Sequence, residues 1–127
     1  MTLENINVDV GKTEKVGLLS LQSTLNYKGH LTVTVDGTYP PNENVYFLYD
    51  YMTITIVRGN VSEIGDGDIV MVIPDHENDV FDKKIIVDGS PSGTVYSVFA
   101  SVQGGISKEV YQHLSKQSVT VTFDWGQ

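Results

Sequence analysis

Leu31-Thr32-Val33-Thr34-Val35-Asp36 alternates apolar and polar residues without a break, and Gly37 follows it. A period of two places Leu31, Val33 and Val35 on one face of an extended strand and Thr32, Thr34 and Asp36 on the other, so one face enters a core and the other meets water. Asp36-Gly37 is expected to end this strand.

Outward from this stretch the pattern recurs, bounded by Gly, Asn, Asp and Pro, and predicts about eight short strands. Ile6 to Val10 alternates and stops at Gly11, Val16 to Leu25 is more apolar, and Tyr27-Lys28-Gly29 reads as a turn. Pro40-Pro41-Asn42-Glu43-Asn44 reads as a loop, because paired prolines cannot donate to a ladder. From Val45 to Arg58 the even positions are apolar except Asp50, so that set faces the core, and a bulge is expected near Asp50. Asp68 to Ile73 is apolar on both faces beyond Asp68, the pattern of a central strand. Lys84 to Val87 is a short strand, and Asp88 to Gly93 is turn-rich. Val95 to Val102 and Val119 to Trp125 alternate again. Between them Ser107 to Lys116 is the one helical candidate, with Ser107 as cap and Val110 and Leu114 sharing a face; a strand continuation through Glu109 to Gln112 is the alternative.

Composition agrees with strands. The 127 residues include 18 Val, 9 Ile and 11 Thr against a single alanine, Ala100, a balance that favours β-structure over helix. A mass of 14.0 kDa suits one domain spanning residues 1–127.

Gly93-Thr94-Val95-Tyr96-Ser97-Val98-Phe99-Ala100 followed by Ser118-Val119-Thr120-Val121 resembles the final hairpin of immunoglobulin-like and fibronectin-like domains. The resemblance implies a two-sheet antiparallel β-sandwich with Tyr96 at a tyrosine-corner position. A jelly roll or a closed barrel is the alternative arrangement of the same strands.

Charge narrows the function. Sixteen acids against eight bases give a net charge of −8, which repels phosphate backbones and argues against nucleic acid as a direct ligand. With no cysteine in the chain, disulfide scaffolds, thiolate zinc sites and cysteine nucleophiles are excluded. No run approaches the length of a membrane helix, and Met1 to Gly17 lacks the apolar core of a secretory signal, so a cytoplasmic location is the default expectation. A secreted, virion-associated or toxin-associated chain stays open, and Asn60-Val61-Ser62 would then be a glycosylation sequon.

Motifs of catalysis are rejected on spacing. Gly11-Lys12-Thr13 lacks the upstream glycine of a phosphate-binding loop, where Ile6 stands, and Gly89-Ser90-Pro91-Ser92-Gly93 holds Pro91 where a nucleophile elbow needs serine. His30, His76 and His113 have no partner at metal-ligand spacing and read as surface or loop residues. No enzyme is expected.

Two features point to binding. Tyr39, Tyr46, Phe47, Tyr49 and Tyr51 cluster beside Asn42 and Asp50; flat rings stack on sugar faces while amides and carboxylates take the hydroxyls, so Tyr39, Asn42, Tyr49 and Tyr51 are the candidate contacts of a lectin-like site. Tyrosines packed simply as strand formers are the plain alternative. The second feature is acidity: half of the acids fall between Glu63 and Asp88, opposed only by Lys83 and Lys84. Asp75, Glu77, Asp79 and Asp82 supply the oxygen ligands calcium prefers, although Val80 stands where an EF-hand loop needs glycine. A solvated loop and an acidic patch for a basic partner are the other readings. The expected function is thus recognition of a glycan or a protein surface, with oligomerisation left open. Its rival is an acidic structural or inhibitory module of a phage or toxin complex, and a membrane-active toxin component stands third.

Overall fold

The computed structural model describes residues 2–20, 27–38, 46, 48–73, 82–90 and 95–126, with 27–31, 37–38, 49, 82–90 and 124–126 described by their backbone alone. Its elements are β1 (Thr2–Ile6), β2 (Thr13–Ser20), β3 (Tyr27–Thr38), β4 (Met52–Arg58), β5 (Ile69–Ile73), β6 (Asp82–Ser90), β7 (Val95–Val102), a short helix α1 (Lys108–Leu114) and β8 (Ser118–Gly126). Single 3-10 turns form at Leu48–Asp50 and Ile64–Asp66.

The strands make two four-stranded sheets, ordered β1-β8-β3-β6 and β2-β7-β4-β5. All ladders are antiparallel. First pairs with last, second with seventh, third with sixth and fourth with fifth, so the chain is one long antiparallel ribbon that turns back between β4 and β5. Ladders β3-β8 and β4-β7 then roll this ribbon into two layers. That arrangement is a jelly roll, the alternative topology named for an all-β sandwich of these strands. The C-terminal segments read as a hairpin are β7 and β8, which lie in different sheets and are joined across the sandwich through α1.

The core lies between the layers. Val33 and Val35 are buried from β3, Met52, Ile54 and Ile56 from β4, Tyr96, Val98, Ala100 and Val102 from β7, and Val119, Val121 and Phe123 from β8, as their period of two requires. The Arg58 guanidinium sits 6.0 Å from the centre of the Tyr96 ring.

A second cover explains why the other face of β7 is also hidden. Val57, Ser97 and Phe99 point away from the core yet are buried, because the connection from Gly59 to Asp68 folds back over the second sheet. Ser97 Oγ donates to the Gly59 carbonyl at 2.6 Å and accepts from Val61 N–H at 3.0 Å. Gly67 closes the connection: a Cβ there would stand 2.6 Å from the Arg58 carbonyl oxygen and 2.8 Å from Val57 Cγ1.

Several boundaries differ from the sequence expectation. The first strand is Thr2–Ile6 and not Ile6 to Val10; Asn5 adopts φ 56° where the register to β8 shifts, and the chain then leaves the sheet. Tyr27-Lys28-Gly29 is not a turn but the start of β3, held opposite β6, and β3 runs past Asp36-Gly37 to Thr38 because Gly37 and Thr38 still face Val119 and Ser118. The strand expected from Val45 begins at Met52, and a 3-10 turn at Leu48–Asp50 stands where a bulge was expected. β5 is an edge strand and not a central one; its apolar outer residues Ile69 and Val72 are 54% and 40% exposed. β6 extends over Asp82–Ser90, absorbing the first part of the turn-rich segment. The helix forms where expected, with the Ser107 side chain accepting from Val110 N–H and Val110 and Leu114 buried.

Candidate functional site

The connection from β1 to β2 reverses at Asp9-Val10-Gly11-Lys12. Lys12 N–H donates to the Asp9 carbonyl at 3.0 Å, and Gly11 sits at φ 77°, the left-handed conformation that the third position of a type II turn demands. This turn is pinned to the end of β7: Gly11 N–H donates to the Val102 carbonyl at 2.8 Å, and Val102 N–H donates to that of Lys12 at 3.2 Å.

Just before the turn, Asn7 reaches the C-terminal end of α1. Its Nδ2 donates to the carbonyls of Leu114 at 3.2 Å and Gln117 at 2.8 Å; two carbonyl partners fix which side of the amide faces the helix. Gln117 in turn is buried, its Oε1 accepting from Leu48 N–H at 2.8 Å and its Nε2 donating to the carbonyls of Tyr46 at 2.7 Å and His113 at 3.1 Å. The Tyr46 and His113 rings meet at 5.4 Å with a 58° tilt. One asparagine and one glutamine therefore lock three segments distant in sequence.

A cleft of about 240 Å³ opens between these pieces. Its floor is aliphatic, made of the buried side chains of Val8, Leu48, Val102 and Leu114, with Val10 at one side. Asn7, Asp9, Tyr111 and Ser115 form its polar lining. Tyr111, Leu114 and Ser115 present one helix surface to it because they are spaced three and four apart. A second, more exposed cavity of about 440 Å³ lies between β2 and the Gly59 to Asp68 connection, lined by Thr13, Lys15, Ser62, Glu63, Ile64 and Phe99. Lys15 Nζ donates to Asn60 Oδ1 at 2.7 Å at this second cavity's side of the sheet.

Of the residues singled out from the sequence, Tyr39 and Asn42 lie outside the described residues, and so do Asp75, Glu77 and Asp79. Asp82 opens β6 opposite Thr34. Tyr49 falls in the 3-10 turn at Leu48–Asp50. Tyr51 is half-buried against the core, its carbonyl accepting from Gln103 N–H at 3.0 Å, which puts it at the same end of the sandwich as the cleft floor residue Val102. His113, expected on a surface or loop, is half-buried on α1 against Tyr46; His30 lies in β3, and His76 falls outside the described residues. Among the described residues no three His, Asp or Glu side chains converge as a metal site, and no helix is long and apolar enough to cross a membrane.

Asp9 and Tyr111 were not singled out from the sequence, and they stand far apart in it. The local signals were present separately, a turn at Asp9-Val10-Gly11-Lys12 and a capped helix after Ser107, but nothing in either says that they meet. No protein family, curated protein or solved structure matches the chain.

Proposed function

We propose that this protein is a non-enzymatic recognition module that holds the end of a glycan in the cleft beside α1. The cleft itself carries the reading: an aliphatic floor beside Tyr111, Asp9, Ser115 and Asn7, residues that carry a phenol, a carboxylate, a hydroxyl and an amide. Sugar rings offer an apolar face and a fringe of hydroxyls, and this lining answers both. At about 240 Å³ the cleft falls below the roughly 300–1,000 Å³ of sites for drug-sized ligands, so it suits a single terminal ring better than a chain. A binding role is favoured over a catalytic one because, among the described residues, Asp9 is the one acidic residue of the lining and no histidine joins it, so these supply no acid and base pair.

The test is a glycan array probed with the wild type and with Tyr111→Ala, each with calcium and with chelator. Tyr111 is 47% exposed, so its removal should abolish binding while leaving the melting temperature nearly unchanged. Binding that needs calcium would bring Asp75, Glu77, Asp79 and Asp82 into the site. A blank array overturns the proposal.

A second reading, docking on another protein within a larger assembly, is favoured by β5. This edge strand carries Ile69 and Val72 exposed on the outer face of the sheet, the kind of surface that proteins cover by association. Ile69→Lys should then weaken capture of the partner in a pull-down and leave glycan binding untouched.

A further inference from the structure

The side-chain hydrogen-bonding capacity left over in the cleft is almost entirely that of acceptors. Asn7 has spent both amide hydrogens on the helix carbonyls, so only its Oδ1 remains. Ser115 Oγ donates its one hydrogen to the Gln112 carbonyl at 3.1 Å and keeps its lone pairs. The Asp9 carboxylate hydrogen-bonds to no described residue and forms no ion pair with Lys12 on the same turn, and an ionised carboxylate only accepts. Among the lining side chains the Tyr111 hydroxyl alone can still donate. Among the described residues no lysine, arginine or histidine lines the cleft, and the Leu114 carbonyl at the helix end is already taken by Asn7 and by Gln117 N–H.

A ligand that brings acceptors would leave these groups unmatched, whereas one that brings donors satisfies them. Neutral sugar hydroxyls bring one donor each together with lone pairs; a protonated amine brings three donors, no acceptor and a positive charge. Asp9 supplies the opposite charge, and the Tyr111 ring supplies a face that attracts cations. From this inventory we infer that the cleft selects a sugar bearing a free primary amine over its neutral, acetylated or acidic counterparts. The inference rests on the glycan reading and specifies its ligand class.

Isothermal titration at about pH 6, where a sugar amine is protonated, tests it with four probes: glucosamine, glucose, N-acetylglucosamine and propylamine. Glucosamine should bind about three- to tenfold more tightly than glucose or N-acetylglucosamine, the range expected of one partly exposed ion pair with an aromatic neighbour. That margin should shrink as salt is raised from about 0.01 to 1 M and should vanish in Asp9→Asn, which keeps the turn carbonyl. The salt series on the wild type stands independently of how the variant folds. Equal affinity for glucose and glucosamine overturns the amine selection and leaves the glycan reading in place. No binding of any sugar overturns both. Propylamine bound as tightly as glucosamine overturns the sugar component, because the amine alone would then account for recognition.

Discussion

Asn7 and Gln117 are joined across 110 residues of sequence by a 2.8 Å hydrogen bond from Asn7 Nδ2 to the Gln117 carbonyl. The same glutamine holds Leu48 and Tyr46 with its side chain. Three chain segments thus meet at one spot, and each of them lines or supports the cleft. The walls of the cleft are set by hydrogen bonds within the chain itself, which on the proposed glycan reading lowers the entropy that binding must overcome.

Gln117→Leu should lower stability by about 2–4 kcal/mol, because it leaves the buried N–H of Leu48 and the carbonyl of Tyr46 without their partner. Urea denaturation followed by circular dichroism measures it. A change in midpoint with an unchanged slope is the expected outcome, since the loss is local.

Asn7→Asp should be worse than Asn7→Ala. Alanine removes two hydrogen bonds at a partly exposed site, a loss of about 1–2 kcal/mol. Aspartate sets an ionised acceptor against the Leu114 and Gln117 carbonyls it would face, so repulsion adds to the loss. Thermal melts at pH 7 should rank wild type above Asn7→Ala and Asn7→Ala above Asn7→Asp; the reverse order of the two variants would show that the amide is not held by those carbonyls.

Gly65 and Gly67, both in the β4 to β5 connection, separate steric need from chain entropy. Gly67→Ala forces a Cβ against the Arg58 carbonyl and Val57, and should cost about 1–3 kcal/mol as overpacking. Gly65→Ala meets nothing within 4 Å, and should be neutral or stabilising by up to about 1 kcal/mol through the unfolded chain. Parallel unfolding curves of the pair decide it.

Ser97→Ala removes the hydroxyl that bonds Gly59 and Val61. Stability should fall by about 1–3 kcal/mol. The Val61 amide should also exchange with deuterium faster than its neighbours in β4, because the cover would lose its anchor while the sheet beneath keeps its ladders.

The alternation at Leu31 to Asp36 and at Val95 to Val102 was enough to place the inner face of the sandwich, since Val33, Val35, Tyr96, Val98, Ala100 and Val102 are the residues of these strands that join the core. The capped turn after Ser107 was legible for the same local reason. Position within a sheet was not. Ile69 to Ile73 reads as central because both faces are apolar, yet its pattern carries no information about whether a neighbour stands on both sides. The cleft was least legible of all. Asp9 and Tyr111 come together only through the rolling of the ribbon and the Asn7 anchor, and the aromatic cluster around Tyr49 drew attention to a neighbouring part of the same end of the fold.

The order of the strands also bears on how the chain is made. Each ladder joins a strand from β1–β4 to one from β5–β8, so among the described residues no two strands of the first half pair with each other. On the ribosome, where the N-terminal portion emerges first, the first four strands leave with every backbone edge unsatisfied, and the earliest ladder available to them is β4 with β5. The sheet β1-β8-β3-β6 is completed only when β8, the last of these eight strands to be made, has slotted between β1 and β3. Half of these strands are thus made before any strand that can pair with them, and each leaves the ribosome as an open edge.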